Sequence, residues 1–273
     1  MSYRALGVYR EPEFSPGKVE ADAAILDGAL AELAREGFET SAIDAQSFGD
    51  GVPVEADLIL AMCQGERPLK RLAEVEQAGA VTMNSALAIR NCYRDLLAPG
   101  LQHAGVPAPA GALVSTGEPL DLRRLLGMDL SGGMFVKRGD LHALGNEDVQ
   151  RVVGRNQLES VLNGFAERGV RFAYLQQEAL GNVVKFYGVS GGTFFSALPE
   201  QDEIPEAAVR ELSDAASRAA LALGLEAWGG DAVLSGDRFA IIDFNDWPSF
   251  SRVRAQAARA IARRAMALMN RTR

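Results

Sequence analysis

The chain has 273 residues, of which 48% are hydrophobic and 23% are charged, a composition typical of a globular protein with a buried core. Its net charge of −8 argues against a nucleic-acid-binding protein, because that class usually carries a basic face. The two cysteines and two histidines argue against a disulfide framework and a His-rich zinc site. Since no apolar leader and no membrane-spanning run is visible, we expect a soluble, cytoplasmic protein without a membrane partner.

Short apolar runs alternate with helical patterns over the first part of the chain. The predicted strands are 5–9, 38–43, 57–63 and 80–83, and the predicted helices are 20–35 and 68–77. Strands that alternate with helices indicate βαβ units and a parallel sheet. We therefore predict a small Rossmann-like domain over about residues 1–100.

The pattern changes after the proline-containing segment 105–109, which cannot continue a helix. The predicted strands beyond it are 134–138, 172–177, 183–189, 232–234 and 239–244, and the predicted helices are 158–168 and 207–223. Turn-like glycines at 180–182 and 235–237 predict antiparallel hairpins. The alanine- and arginine-rich stretch 253–269 suits a solvent-facing helix. The second domain, 101–273, is thus predicted to be α+β with antiparallel strands.

Polar residues cluster where two of these strands meet. Asp243 and Asn245 are two apart in a strand and share a face, and a hairpin can bring Asp231 beside them. Two carboxylates and an amide oxygen form a hard, oxygen-only set that suits Mg²⁺. The alternative is that these residues, with Asp246, are ordinary turn and cap residues.

The segment from Asp231 to Pro248 resembles the metal-binding end of the ATP-grasp superfamily, in which an Asp is followed by an acidic-x-Asn-x-x-Pro strand end. The likeness is to the carboxylate–amine ligases of the glutathione synthetase and ribosomal-protein glutamate ligase type. It implies that Asp231, Asp243 and Asn245 hold Mg²⁺ bridging the phosphates of ATP. Asp243 stands where the family more often has Glu.

The resemblance also implies that 101–273 is an ATP-grasp domain with antiparallel sheets, which includes a small nucleotide-covering subdomain at about 110–180. Other motifs of the family follow in order. The resemblance implies nucleotide contacts for Arg94 (in place of the usual lysine) and for Lys137, Gln177, Glu178 and Lys185, with Glu178 at the ribose. Lys137 and Lys185 are the catalytic candidates, because they would neutralise phosphate charge. As alternatives, Lys137 is an edge-strand lysine, Lys185 an exposed residue of a hairpin, and Gln177 and Glu178 polar residues at a strand end.

Two loops also carry candidate residues. His142 lies where relatives carry a lid over the phosphates, although a lone loop histidine is more often only solvated. Arg10 and Lys18 follow the first strand, where they either hold an anionic substrate or are ordinary loop charges.

The resemblance implies that ATP phosphorylates a small-molecule or peptide carboxylate, which an amine or thiol then attacks, releasing ADP and phosphate. Two alternatives remain at this point: a kinase that phosphorylates a small-molecule hydroxyl, and a nucleotide-binding module without turnover. The C-terminal helix offers a possible face for a homodimer.

Overall fold

The computed structural model describes residues 2–141, 144–200 and 203–271. Its first region is a parallel sheet covered by helices. Its elements are β1 Arg4–Val8, α1 Val19–Arg35, β2 Glu39–Ile43, α2 Ala45–Gly49, β3 Leu58–Ala61, α3 Glu66–Gln77 and β4 Val81–Met83. The strands are parallel in the order β2-β1-β3-β4. All four residues of β3 are buried, as expected for a central parallel strand. The predicted Rossmann-like sheet is confirmed.

Two short helices, α4 Ala86–Asn91 and α5 Arg94–His103, lead to a second, smaller sheet. Ser85 begins α4, since its hydroxyl accepts a hydrogen bond from the amide of Ala88. The small sheet contains β5 Gly111–Ser115, β6 Gly133–Arg138, β7 Val149–Val153 and β8 Phe172–Gln177, and it packs against α6 Arg155–Glu167. Its strands are antiparallel in the order β5-β8-β6-β7.

The third sheet is also antiparallel, in the order β10-β9-β11-β12. Its elements are β9 Asn182–Val189, β10 Phe194–Pro199, α7 Glu206–Leu223, β11 Ala227–Ser235, β12 Arg238–Asp246 and the following helix α8 Arg254–Arg271. The predicted hairpin around 235–237 is confirmed as β11–β12. The sequence analysis did not predict β5, β7, β10 or α2.

The hairpin predicted around 180–182 is wrong. β8 and β9 belong to different sheets, and the chain passes from one sheet to the other at this point. Gly181 is needed for the crossing, because it has φ +154° and a Cβ built there would lie 2.1 Å from the carbonyl oxygen of Leu234. A glycine that signals a turn was in fact a site of close backbone approach.

The expectation for the C-terminal helix is also wrong. One face of α8 is buried, with Ala257, Ile261 and Ala265 fully inaccessible, and the helix packs against α1. The same core contains Trp247, whose indole nitrogen donates to the carbonyl of Met83 at 3.2 Å. Alanine-rich helices can pack closely because their side chains are small, so this face is covered within the chain.

Among the residues that the structure describes, no helix combines the length and apolar character needed to cross a bilayer.

Candidate active site

The register of the third sheet brings the predicted site residues into two rows across neighbouring strands. Lys185, Asp231 and Asp243 form the first row, on β9, β11 and β12. Asn245 lies in the next row of the same face, opposite Gly229. A Cβ at Gly229 would lie 2.7 Å from the carbonyl oxygen of Phe186 and 2.8 Å from Pro248, so only glycine fits between these neighbours.

The first row holds one cation beside two adjacent carboxylates. Lys185 Nζ lies 3.1 Å from Asp231 Oδ1 and 3.5 Å from Glu200 Oε1. Burial and the nearby charge of Asp243 raise the pKa of Asp231. Burial lowers the pKa of Lys185, but its two carboxylate neighbours raise it by more. Asp231 therefore sits between a second carboxylate and an ammonium group, and the two carboxylates repel each other.

Asp243 and Asn245 point into the cleft together. Asn245 Nδ2 lies 3.3 Å from Asp243 Oδ2, and Arg94 Nη2 lies 4.0 Å from Asp243 Oδ1. No group of three or more His, Cys, Asp or Glu side chains within the described ranges is placed to hold a metal ion. The predicted set contains only two such side chains, the carboxylates of Asp231 and Asp243, together with the amide of Asn245. It would suit Mg²⁺ only if phosphate or water oxygens completed the coordination.

Lys137 approaches this face from the small sheet. Its ammonium donates to the carbonyl oxygen of Ile242 at 2.9 Å, and the residue is only 7% exposed. Burial lowers the pKa of Lys137, and the charge of Asp243 partly opposes that shift. Arg94 supports the same contact between sheets, since its Nη1 donates to the carbonyl of Arg138 at 3.1 Å. Two buried cations thus lie between the small sheet and the end of β12.

Two cavities meet at this point. The small-sheet cavity, about 450 Å³, lies between α5, the small sheet and β12, and its lining includes Lys137 and Tyr174. The polar cavity, about 560 Å³, lies between the loop after β1 and the third sheet, and its lining includes Lys185, Asp231 and Asn245. Arg94 and Asp243 line both cavities. A molecule in one cavity can therefore meet a molecule in the other beside Asp243.

The end of β8 is arranged differently from the sequence-based expectation. Tyr174 and Gln176 are two apart and both line the small-sheet cavity, whereas Gln177 and Glu178 do not. The Gln177 amide instead donates to the carbonyl of Gly133 at 2.8 Å and accepts from the amide of Asp129. Glu178 forms a bidentate ion pair with Arg151 at 2.7 Å. Their neighbour Gln176, which sequence reasoning missed, is the one that lines the cavity.

Of the two loop predictions, only one falls within the described residues. Arg10 and Lys18 both line the polar cavity, but the Arg10 side chain is 9% exposed and its nitrogens already donate to protein acceptors. It is therefore not available to hold an anionic substrate. His142 lies outside the residues that the structure describes.

Sequence reasoning also missed two buried polar residues behind the site. Asn84 is fully buried, donates to the carbonyl of Ala227 at 2.8 Å and accepts from that residue's amide. Asp246 is also fully buried, where Gln64 donates to its Oδ1 at 3.0 Å, and burial raises the pKa of Asp246 to about 6. Each residue had one weak signal in the sequence. Asn84 belongs to a polar step, Asn84-Ser85, directly after a predicted strand, and Asp246 is the polar residue that follows Asn245.

No protein-family model matches the sequence, and no curated protein matches it significantly. Solved structures do resemble it over nearly its whole length. An ATP complex of D-alanine–D-alanine ligase from Bacillus anthracis is 13% identical, with a TM-score of 0.75 and 99% of each chain covered. The VanG D-Ala:D-Ser ligase from Enterococcus faecalis is 11% identical, with a TM-score of 0.75, covering 98% of this chain and 100% of that one. The D-alanine–D-alanine ligase from Coxiella burnetii is 14% identical, with a TM-score of 0.75 and coverages of 99% and 96%.

These likenesses establish the fold. The chain has the ATP-grasp fold, with a Rossmann-like parallel sheet followed by two antiparallel sheets, as the sequence motifs predicted.

Proposed function

We propose that this protein is an ATP- and Mg²⁺-dependent ligase, which activates a carboxylate as an acylphosphate for attack by an amine or thiol. The observation that carries the proposal is the meeting of the two cavities at Arg94 and Asp243. In phosphoryl transfer, the acceptor and the leaving nucleotide lie on opposite sides of the transferred phosphoryl group, and cations neutralise the charge on its oxygens. The proposal is also supported by the fold that this chain shares with a ligase whose structure was solved with ATP.

ATP would occupy the small-sheet cavity. Lys137 and Arg94 lie at the end of that cavity next to Asp243, where cations neutralise the phosphate oxygens. Tyr174 and Gln176 line the part of the cavity formed by the small sheet, where the base would bind. We therefore assign Gln176 to the nucleotide. The predicted Gln177 and Glu178 would reach it only by leaving their present partners.

Asp231, Asp243 and Asn245 would hold Mg²⁺. Two adjacent carboxylates that repel each other, one of them with a raised pKa, are stabilised when a cation binds between them. The metal supplies charge neutralisation for the phosphate oxygens. Lys185, now paired with Asp231, lies at the edge of the polar cavity, where it would attract the carboxylate acceptor.

The reaction then takes place at the junction of the cavities. An oxygen of the acceptor carboxylate forms a bond to the γ-phosphorus, the bond between that phosphorus and the bridging oxygen of ADP breaks, and ADP leaves. An amine nitrogen or thiol sulfur next bonds to the acyl carbon, its proton is lost, and phosphate leaves with the former carboxylate oxygen. Lys137 and Arg94 would stabilise the charge that develops on the transferred phosphoryl group.

The test is to incubate the protein with ATP, Mg²⁺ and a panel of ¹⁸O-labelled carboxylates, amines, thiols and small-molecule hydroxyl compounds. A ligase of this type transfers one ¹⁸O atom from the carboxylate to inorganic phosphate while ADP accumulates. ADP formation with phosphate retained on a hydroxyl acceptor would instead identify a kinase. Tight ATP binding with no ADP formation across the panel would identify a binding module.

A further inference from the structure

Arg10, in the loop after β1, links the ends of strands from two sheets. Its Nε donates to the carbonyl of Met62 at 3.2 Å, just beyond β3. Its Nη2 donates to the carbonyls of Asp246 at 3.1 Å and Trp247 at 2.9 Å, at the end of β12. These acceptors lie 52 and more than 230 positions away along the chain, so one guanidinium joins the parallel sheet to the strand that carries Asn245.

The backbone that Arg10 holds is strained. Trp247 has φ +39°, which is uncommon for any residue other than glycine and is an outlier for one with a bulky side chain. Such a conformation persists only where the surrounding structure imposes it. Here the indole donates to the carbonyl of Met83, the backbone amide donates to Ala227, and the carbonyl accepts from Arg10. Trp247 lies two residues after Asn245, directly after the last residue of β12, so the turn fixes the end of the strand that carries Asn245.

Arg10 is itself held in place. Its Nη1 lies 3.3 Å from Asp22 Oδ2, and the hydroxyl of Ser15 donates to the same oxygen at 2.8 Å. Asp22 and Ser15 are both buried. Because a guanidinium presents donors on three nitrogens in a fixed plane, it can serve all these acceptors at once, which a single lysine ammonium cannot do.

From these contacts we infer that Arg10 is a positioning residue, which fixes the turn after β12 so that Asn245 faces the metal end of the cleft. This inference rests on the proposed function, in which Asn245 is a metal ligand. It also assigns the loop after β1 a structural part in the site instead of contact with an anionic substrate.

The experiment compares the wild-type protein with Arg10→Lys and Arg10→Met, and with Arg67→Met as a control. Arg67 belongs to an exposed ion pair with Asp50 on the same parallel-sheet region, away from both cavities. Mn²⁺ binding is measured by electron paramagnetic resonance with a non-hydrolysable ATP analogue, and binding of the analogue is measured separately without metal. Hydrogen exchange of the Trp247 amide gives a second, metal-independent measurement.

Both Arg10 variants should bind Mn²⁺ at least about tenfold more weakly, as expected when a group that orients a ligand is removed. Metal-free binding of the analogue should stay within about twofold of wild type, and the Trp247 amide should exchange faster; the control should match wild type throughout. Folded Arg10 variants with wild-type Mn²⁺ affinity would overturn the inference. An equal loss of metal-dependent and metal-free binding would overturn it too, since it would show a general structural defect.

If neither Arg10 variant folds, Ser15→Ala replaces them. This variant keeps the guanidinium but removes one hydrogen bond that holds Asp22, so a smaller weakening of Mn²⁺ binding is expected, and unchanged binding overturns the inference. If the wild type binds no Mn²⁺ with the nucleotide, the proposed function fails. Exchange of the Trp247 amide in the folded variants then decides whether Arg10 fixes the turn.

Discussion

The ends of β12 and β8 carry similar pairs of polar residues but use them differently. On β12, Asp243 and Asn245 are two apart, and both side chains line the polar cavity. On β8, Gln177 and Glu178 are adjacent, and neither lines the small-sheet cavity, whereas Gln176 does. Spacing within a strand thus fixes which side chains share a face, but the packing of the sheets decides which face lines a cavity.

The largest effect is expected at the end of β12. The double variant Asp243→Ala, Asn245→Ala removes two of the three proposed metal ligands, and its turnover should fall by at least on the order of a hundredfold. Removing Asp243 also removes a repulsive charge near Asp231, so the fold should be retained. The rate of ADP release measures turnover, and calorimetry of ATP binding with and without Mg²⁺ measures the loss of the metal site. The assignment is wrong if the folded double variant keeps Mg²⁺-dependent ATP binding.

A control for that experiment is available in the same hairpin. Asp237 lies in the exposed turn between β11 and β12, at the opposite end of the strands from the cleft. Asp237→Ala should leave Mg²⁺-dependent ATP binding unchanged. A comparable loss in both proteins would indicate damage to the hairpin instead of loss of ligands.

A smaller effect is expected on β8, where neighbouring residues can be compared directly. Gln176→Ala should weaken ATP binding by about tenfold, the value of one hydrogen bond to a ligand. Gln177→Ala should leave ATP affinity almost unchanged, while the loss of its bonds to Gly133 and Asp129 lowers stability by about 1 kcal/mol. Fluorescence titration and chemical unfolding measure the two quantities. A larger loss of ATP affinity in Gln177→Ala than in Gln176→Ala would reverse the assignment of faces.

The smallest effect is expected for Glu178→Gln. The ion pair with Arg151 lies at the surface, where such pairs contribute little, so the melting temperature should not change measurably. Because Glu178 is paired with Arg151 and does not line the small-sheet cavity, the variant should also keep the wild-type ATP affinity. A clear fall in affinity for ATP, with no fall for an analogue that lacks the ribose hydroxyls, would show that Glu178 leaves Arg151 and binds the ribose as the family resemblance implies.

Much of the fold followed from sequence because its signals are local. The apolar run of β3 and the pattern of α1 predicted the parallel sheet, and the glycine turn at 236 predicted the β11–β12 hairpin. The pairing of Asp231 with Asp243 followed once the hairpin was identified. These features depend on residues close in the chain or joined by one turn.

The rest depends on contacts between distant segments. Gly181 looked like a turn residue, yet it lies where the chain crosses between sheets. Arg10 looked like a loop charge, yet its acceptors come from β3 and from the end of β12. Neither role is visible before the sheets are placed against each other, since no local pattern records a partner more than 230 positions away.

The packing of α8 on α1 joins two helices that are far apart in the chain. Residues Ile25 and Leu33 of α1 share one core with Ala257 and Ile261 of α8. Leaving that face of α1 uncovered costs about 25 cal/mol for each Å² of apolar surface in contact with water. Without α8, part of the hydrophobic surface of α1 would therefore be uncovered. The parallel-sheet region thus depends for its stability on a helix that follows the third sheet, and a fragment that ends before α8 would be destabilised.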